Sequence, residues 1–160
     1  FGNTEFYGRE GQPQRFQVFR FGVKNYEYPK VRFDGEAVIR ADNGRVYYDL
    51  DLEQLAKYYR TYAIGYRGNE YSNFKERRSI LQRTMFPAGD QIFSGQEQEG
   101  YLVFEPLADD VHAMTITISD FVTRFDYRGE PLESIDVSFR FKRDIGRVYP
   151  DGTIEWTRRD

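Results

Sequence analysis

A single histidine, His112, limits the nucleophilic chemistry open to this chain. A Ser-His-Asp arrangement would have to use it, with Ser94, Ser119 or Ser134 as nucleophile. No Gly-x-Ser-x-Gly elbow surrounds any of those serines. Cysteine is absent, which removes disulfides, thiolate zinc sites and iron–sulfur clusters. Oxygen-rich clusters are the remaining metal candidates: Asp49, Asp51 and Glu53 at strand spacing, and Asp109-Asp110 in a turn. Neither follows the calcium-loop pattern, and carboxylates in turns are ordinarily solvated. Glycoside hydrolysis needs two acids facing across a cleft. With 26 Asp and Glu, chance pairs abound and spacing selects none of them. Gly65-Tyr66-Arg67-Gly68 lacks the Lys-Ser/Thr ending of a phosphate loop. The expectation is therefore no catalytic residue, no metal and no cofactor, with His112 at the start of a strand.

The aromatic residues point elsewhere. The chain carries 14 Phe, 13 Tyr and 1 Trp at a mean hydropathy of −0.74. Tyr58, Tyr59, Tyr62, Tyr66 and Tyr71 interleave with Arg60 and Arg67, and Tyr and Arg are enriched where proteins bind one another. Both ends carry large apolar groups: Phe1, Phe6 and Tyr7 in one, Val148, Tyr149, Ile154 and Trp156 in the other. Short ends cannot bury such side chains alone, so a partner surface is expected there, with Arg158-Arg159 at its rim. The candidate partner-binding residues are Phe1, Phe6, Tyr7, Tyr59, Tyr62, Tyr66, Arg67, Tyr149 and Trp156. Stacking on a glycan is the rival use of the same aromatics. Nucleic acid is disfavoured, because 23 Lys and Arg against 26 acids leave a net charge of −3. No apolar run is long enough to span a membrane, and a chain beginning at Phe1 is expected to be a processed or trimmed product.

The elements that must carry these residues are mostly strands. Phe19, Phe21 and Val23 alternate with polar neighbours, as do Met114, Ile116 and Ile118, and Ile135, Val137, Phe139 and Phe141. Met114, Ile116, Ile118, Val137, Phe139 and Phe141 are expected to point inward with Phe19, Phe21 and Leu102 or its neighbour. Val31, Phe33, Ala37 and Ile39 share a parity through another strand, broken at Asp34-Gly35. Asn43-Gly44 suits a type I′ hairpin turn. Asp51 with Gln54 reads as a capping box opening a helix over 52–62. Residues 63–72 read as loop, and Asn73 with Glu76 as the cap of a short helix over 74–83. Gly100 is taken to open a strand, and Tyr149-Pro150-Asp151-Gly152-Thr153 to turn a small C-terminal hairpin. Short strands with frequent turns predict an all-β, sandwich-type domain.

Four stretches carry a resemblance: Val23-Lys24-Asn25, Asp42-Asn43-Gly44-Arg45-Val46-Tyr47, Phe86-Pro87-Ala88-Gly89, and the run from Gly95 to Gly100-Tyr101-Leu102-Val103-Phe104. Their arrangement resembles the immunoglobulin-like sandwich domains of bacterial envelope lipoproteins and secreted proteins. The resemblance covers about residues 16–143 and implies an antiparallel immunoglobulin-like β-sandwich with a helical insertion at about 52–83. An N-terminal arm (1–15) and a C-terminal tail (144–160) flank it. It also implies a lipid-tethered or peripheral protein on the periplasmic or cell-surface side of the envelope. Such a protein would be an accessory subunit of a membrane-associated protein complex, with a carbohydrate-binding module as the alternative.

Overall fold

The computed structural model describes residues 16–57 and 70–156, apart from the side chains of 70–74, 77 and 148. The fold is mainly β and antiparallel. Strands β1 (Gln17–Asn25) and β6 (Gln96–Phe104) form one sheet, with Phe19 opposite Leu102 and Phe21 opposite Gly100. The second sheet is built around the long β7 (Ala113–Phe125). One side of β7 pairs first with β3 (Ala37–Ala41) and then with β2 (Lys30–Phe33), while β8 (Pro131–Lys142) runs along its other side. β4 (Val46–Tyr48) and β5 (Gln91–Phe93) complete this sheet.

Alternation decides what lies between the sheets. Val31, Phe33, Ala37 and Ile39 are all buried there with Met114, Ile116 and Ile118, as their shared parity requires. Asp34-Gly35 divides their segment into two strands, but both dock on the same side of β7. From the other sheet come Leu102 and Phe104, with Phe19, Phe21 and Val23 packed against them. The opposite face of β1 and β6 is covered at one end. Val103 and Phe16 are buried with Leu55 and Leu81, and Val18, Met85 and Tyr101 pack against that cluster. Leu55 belongs to a helix, α1, described over residues 52–57, and Leu81 to α2 (Glu70–Thr84). The helical insertion is thus a third layer, and the C-terminal end of β6 is buried on both faces, which is why Leu102 and Val103 are both inside.

Several local expectations hold and others change. The capping box forms: the Asp51 amide donates to Gln54 Oε1 at 2.8 Å, and the Gln54 amide to Asp51 Oδ1 at 2.7 Å. Helix α2, however, starts at Glu70, so Asn73 lies inside it rather than capping it, and 70–72 are helical rather than loop. A capping pair marks where a helix is able to begin, and it does not stop helical residues upstream from joining. The Asn43-Gly44 turn is not type I′. The Gly44 amide donates to the Ala41 carbonyl, Ala41 pairs with Arg45, and Gly44 alone has positive φ (81°). This is a type I turn closed by a glycine bulge. The same loop recurs at 126–130, with Gly129, and at 149–153, with Gly152. Strand β6 runs straight through Gly100 instead of opening there. Residues 113–125 are one continuous strand with irregularities in its pairing to β8, including one around Asp120, whose φ is 51°.

Asp49 sits where the chain crosses between the sheets. Its amide donates to the Ala37 carbonyl and its Oδ1 accepts the Ala37 amide, after which the Leu50 amide donates to Val103. Burial raises the Asp49 carboxyl to about 6, against two backbone hydrogen bonds that hold it down and with help from nearby Glu36 and Asp51. The folded chain therefore binds a proton that the unfolded chain has released, and stability falls as pH rises from about 4 through 6. Asp49→Asn keeps the acceptor for Ala37 and loses the titration. Relative to the parent, it is expected to gain about 1–2 kcal/mol between pH 4 and pH 7.5, after allowing for solvent screening. Urea melts of both proteins across that range check this, and a parallel pH dependence would refute it.

Candidate interaction surface

The polar groups of the described core are largely engaged in holding the fold. Asn25, buried at the end of β1, donates through Nδ2 to the carbonyls of Tyr28 and Ile92 and accepts the Tyr28 amide. Its own carbonyl takes the Gly95 amide, so one residue joins two adjacent turns. Asp42 accepts the His112 and Ala113 amides, and Arg143 donates to the carbonyls of Val111 and Ala108. His112 stands beside this group, just ahead of β7, and no hydrogen bond among the described residues joins it to Ser94, Ser119 or Ser134. Ser119 bonds to the Glu36 backbone and Ser134 to Asp120. The acidic candidates are dispersed: Asp51 caps α1, Glu53 pairs with Arg78, and Asp110 accepts from Asn43. No group of three or more metal-ligating side chains converges among the described residues.

What the surface does present is apolar. β8 was expected to bury Val137, Phe139 and Phe141. Instead Phe139 is 42% exposed, Phe141 39% and Ile135 46%, with Val137 half-buried. Their parity is right, because Phe141, Phe139 and Val137 stand opposite the buried Met114, Ile116 and Ile118. The correction has a topological cause. Among the described residues, β8 is the outermost strand of its sheet, and the facing sheet has only β1 and β6. Coverage reaches Phe141 through Phe19, at 5.4 Å between ring centroids, and leaves the rest of the row partly open.

Beyond β8, the C-terminal hairpin forms as expected, from β9 (Gly146–Val148) and β10 (Ile154–Trp156), and pairs with no other strand among the described residues. Trp156 is opposite Gly146, and a Cβ placed on that glycine would lie 3.0 Å from both Trp156 Cε3 and Ile154 Cγ2. The indole and Ile154 thus share one face, laid across the glycine, yet Trp156 remains 59% exposed and Ile154 47%. Tyr149 is on the other face, donating its hydroxyl to Glu155. Asp151 holds the turn through the Thr153 amide and hydroxyl, and the hydroxyl bond above all keeps its carboxyl below the usual range.

Of the expected partner residues, Tyr149 and Trp156 are therefore on one hairpin but on opposite faces. Phe1, Phe6, Tyr7, Tyr59, Tyr62, Tyr66 and Arg67, together with Arg158 and Arg159, lie outside the described residues. The half-exposed row on β8 was missed as surface because an inward alternation reads the same on a central strand and on an edge. No protein-family model matches this chain, and comparison with curated proteins and with solved structures finds no match.

Proposed function

We propose that this chain is a non-catalytic interaction module that docks a protein partner through its C-terminal hairpin. The observation carrying this reading is the Ile154–Trp156 face, two large apolar side chains exposed side by side on a hairpin outside both main sheets. Tryptophan is among the residues most enriched as anchors at protein interfaces, since it supplies much apolar area at small conformational cost. The exposed apolar row on β8 adds to the surface available. The assignment as an immunoglobulin-like sandwich is supported by antiparallel sheets about a shared core. Placement on the periplasmic or surface side of a bacterial envelope, as an accessory subunit of a membrane-associated complex, rests on the sequence resemblance.

Trp156→Ala combined with Ile154→Ser is expected to weaken partner capture about tenfold or more. The variant should still melt within a few degrees of the parent, because neither side chain belongs to a buried cluster. Quantitative co-purification from envelope membranes, beside a thermal melt, measures both. Unchanged capture would remove the hairpin as the docking element, and glycan binding without a protein partner would favour a carbohydrate-binding module instead.

A further inference from the structure

The outer edge of β8 has a chemical pattern that matches itself. On β7, the Ala113 carbonyl and the Ser119 amide are bonded toward the β3 side, so the alternate residues Met114, Ile116 and Ile118 direct their backbone groups at β8. Their partners Phe141, Phe139 and Val137 are thereby engaged, and the backbone groups of Asp136, Ser138, Arg140 and Lys142 point outward. β8 pairs only with β7, and no other backbone hydrogen bond reaches it among the described residues. The irregularities that commonly protect an edge begin at Asp136, where the pairing shifts between Ile118 and Phe121, and continue toward Pro131; Val137–Lys142 is regular.

We propose that this edge pairs antiparallel with the same edge of a second copy of the chain, about a two-fold axis through Ser138. Acidic Asp136 precedes Ser138 by two residues and basic Arg140 follows it by two. In that register each Asp136 stands opposite the other copy's Arg140, and each Ser134 opposite Lys142. Arg140 and Lys142 have no ion pair among the described residues to compete with this, and Asp136 accepts the Asp120 amide through Oδ1 alone, which leaves Oδ2 for the partner's Arg140. A two-fold axis normal to the sheet also keeps faces matched, so Val137 meets Phe139 and Ile135 meets Phe141 in the closer, non-hydrogen-bonded sites. Apolar side chains left half-exposed in one copy are then flanked by the same row of the other. A register centred on Val137 would set Lys142 against Leu132, and one centred on Phe139 would shorten the overlap. A second copy is the occupant because the charge order along β8 is its own antiparallel complement.

Sedimentation equilibrium on the full chain tests this. The parent is expected to dimerise reversibly, and R140D or D136R alone to raise the dissociation constant about tenfold or more, since symmetry makes two like-charge contacts. Mixing the two variants should restore pairing, because each substituted position then faces an opposite charge on the other chain. S138P should abolish dimers while melting cooperatively, as its lost amide points away from β7. Amides of Ser138 and Arg140 should exchange fast when dilute and slowly when concentrated. A parent that stays monomeric at millimolar concentration, an R140D variant that dimerises normally, or protection of these amides at every dilution would each overturn the proposal. The last would mean that another part of the same chain covers the edge. Because Trp156 and Ile154 are off this edge, the hairpin variant should dimerise normally whether or not it binds a partner.

Discussion

Truncating Phe104 to alanine is expected to cost about 3–5 kcal/mol, the range for removing a fully buried aromatic ring. Phe104 has no exposed surface and meets Phe19 edge-on, with ring centroids 5.9 Å apart. It also stands where Asp49 bridges the sheets, so the cavity would open beside the crossover and could not close by a simple shift of one strand. In a domain of this size the loss corresponds to a fall in melting temperature of roughly 10 °C or more. The informative comparison is Phe139→Ala. Its alternation is that of a core residue, but its exposure limits the expected loss to about 1–2 kcal/mol. Urea unfolding of the two variants side by side measures the difference. Equal losses would show that β8 is covered as completely as β6.

Gly100→Ala is the other large effect expected, and it comes from a side chain that is absent. A Cβ at position 100 would fall 2.3 Å from both the Cα and the amide nitrogen of Phe86. Position 100 shares the inward parity of Leu102 and Phe104, so the methyl group would point into the core where the Phe86-Pro87 backbone crosses. That crossing is fixed from several directions. The Phe86 amide donates to the Tyr101 carbonyl, Met85 bridges to Tyr101, and the Phe86 ring lies 4.7 Å from Phe21 and 6.1 Å from Phe33. Backbone cannot yield as a flexible side chain can, so relief requires moving the Phe86-Pro87 segment or bending β6. A loss of about 3 kcal/mol or more is expected, at the upper end for overpacking. A variant that melts like the parent would show that the segment at Phe86 is free to shift. Gly44→Ala should act differently: it meets no neighbour, and its cost is that of a positive φ alone.

Local chemistry was enough to determine much of this protein. Period-2 alternation placed Val31, Phe33, Ala37, Ile39, Met114, Ile116 and Ile118 inside, because a strand has only two faces and the polar residues claim one. The Asp51–Gln54 pair located a helix start, and Pro-Asp-Gly located the C-terminal turn. All of these depend on neighbours within a few residues. Tertiary structure decided the rest. Whether an inward-facing row is covered depends on how many strands oppose it, and that left Phe139 and Phe141 half-open on an edge while Leu102 and Val103 were both enclosed. The role of Gly100 depends on a backbone segment fourteen residues away in sequence, from Phe86, that packs against it. The likeness of β8 to its own antiparallel complement was present in the order Asp136, Ser138, Arg140. It acquired meaning only when the fold turned those backbone groups outward. Contacts across sheets and edges are set by topology, and alternation along one strand carries no record of which strand will lie beside it.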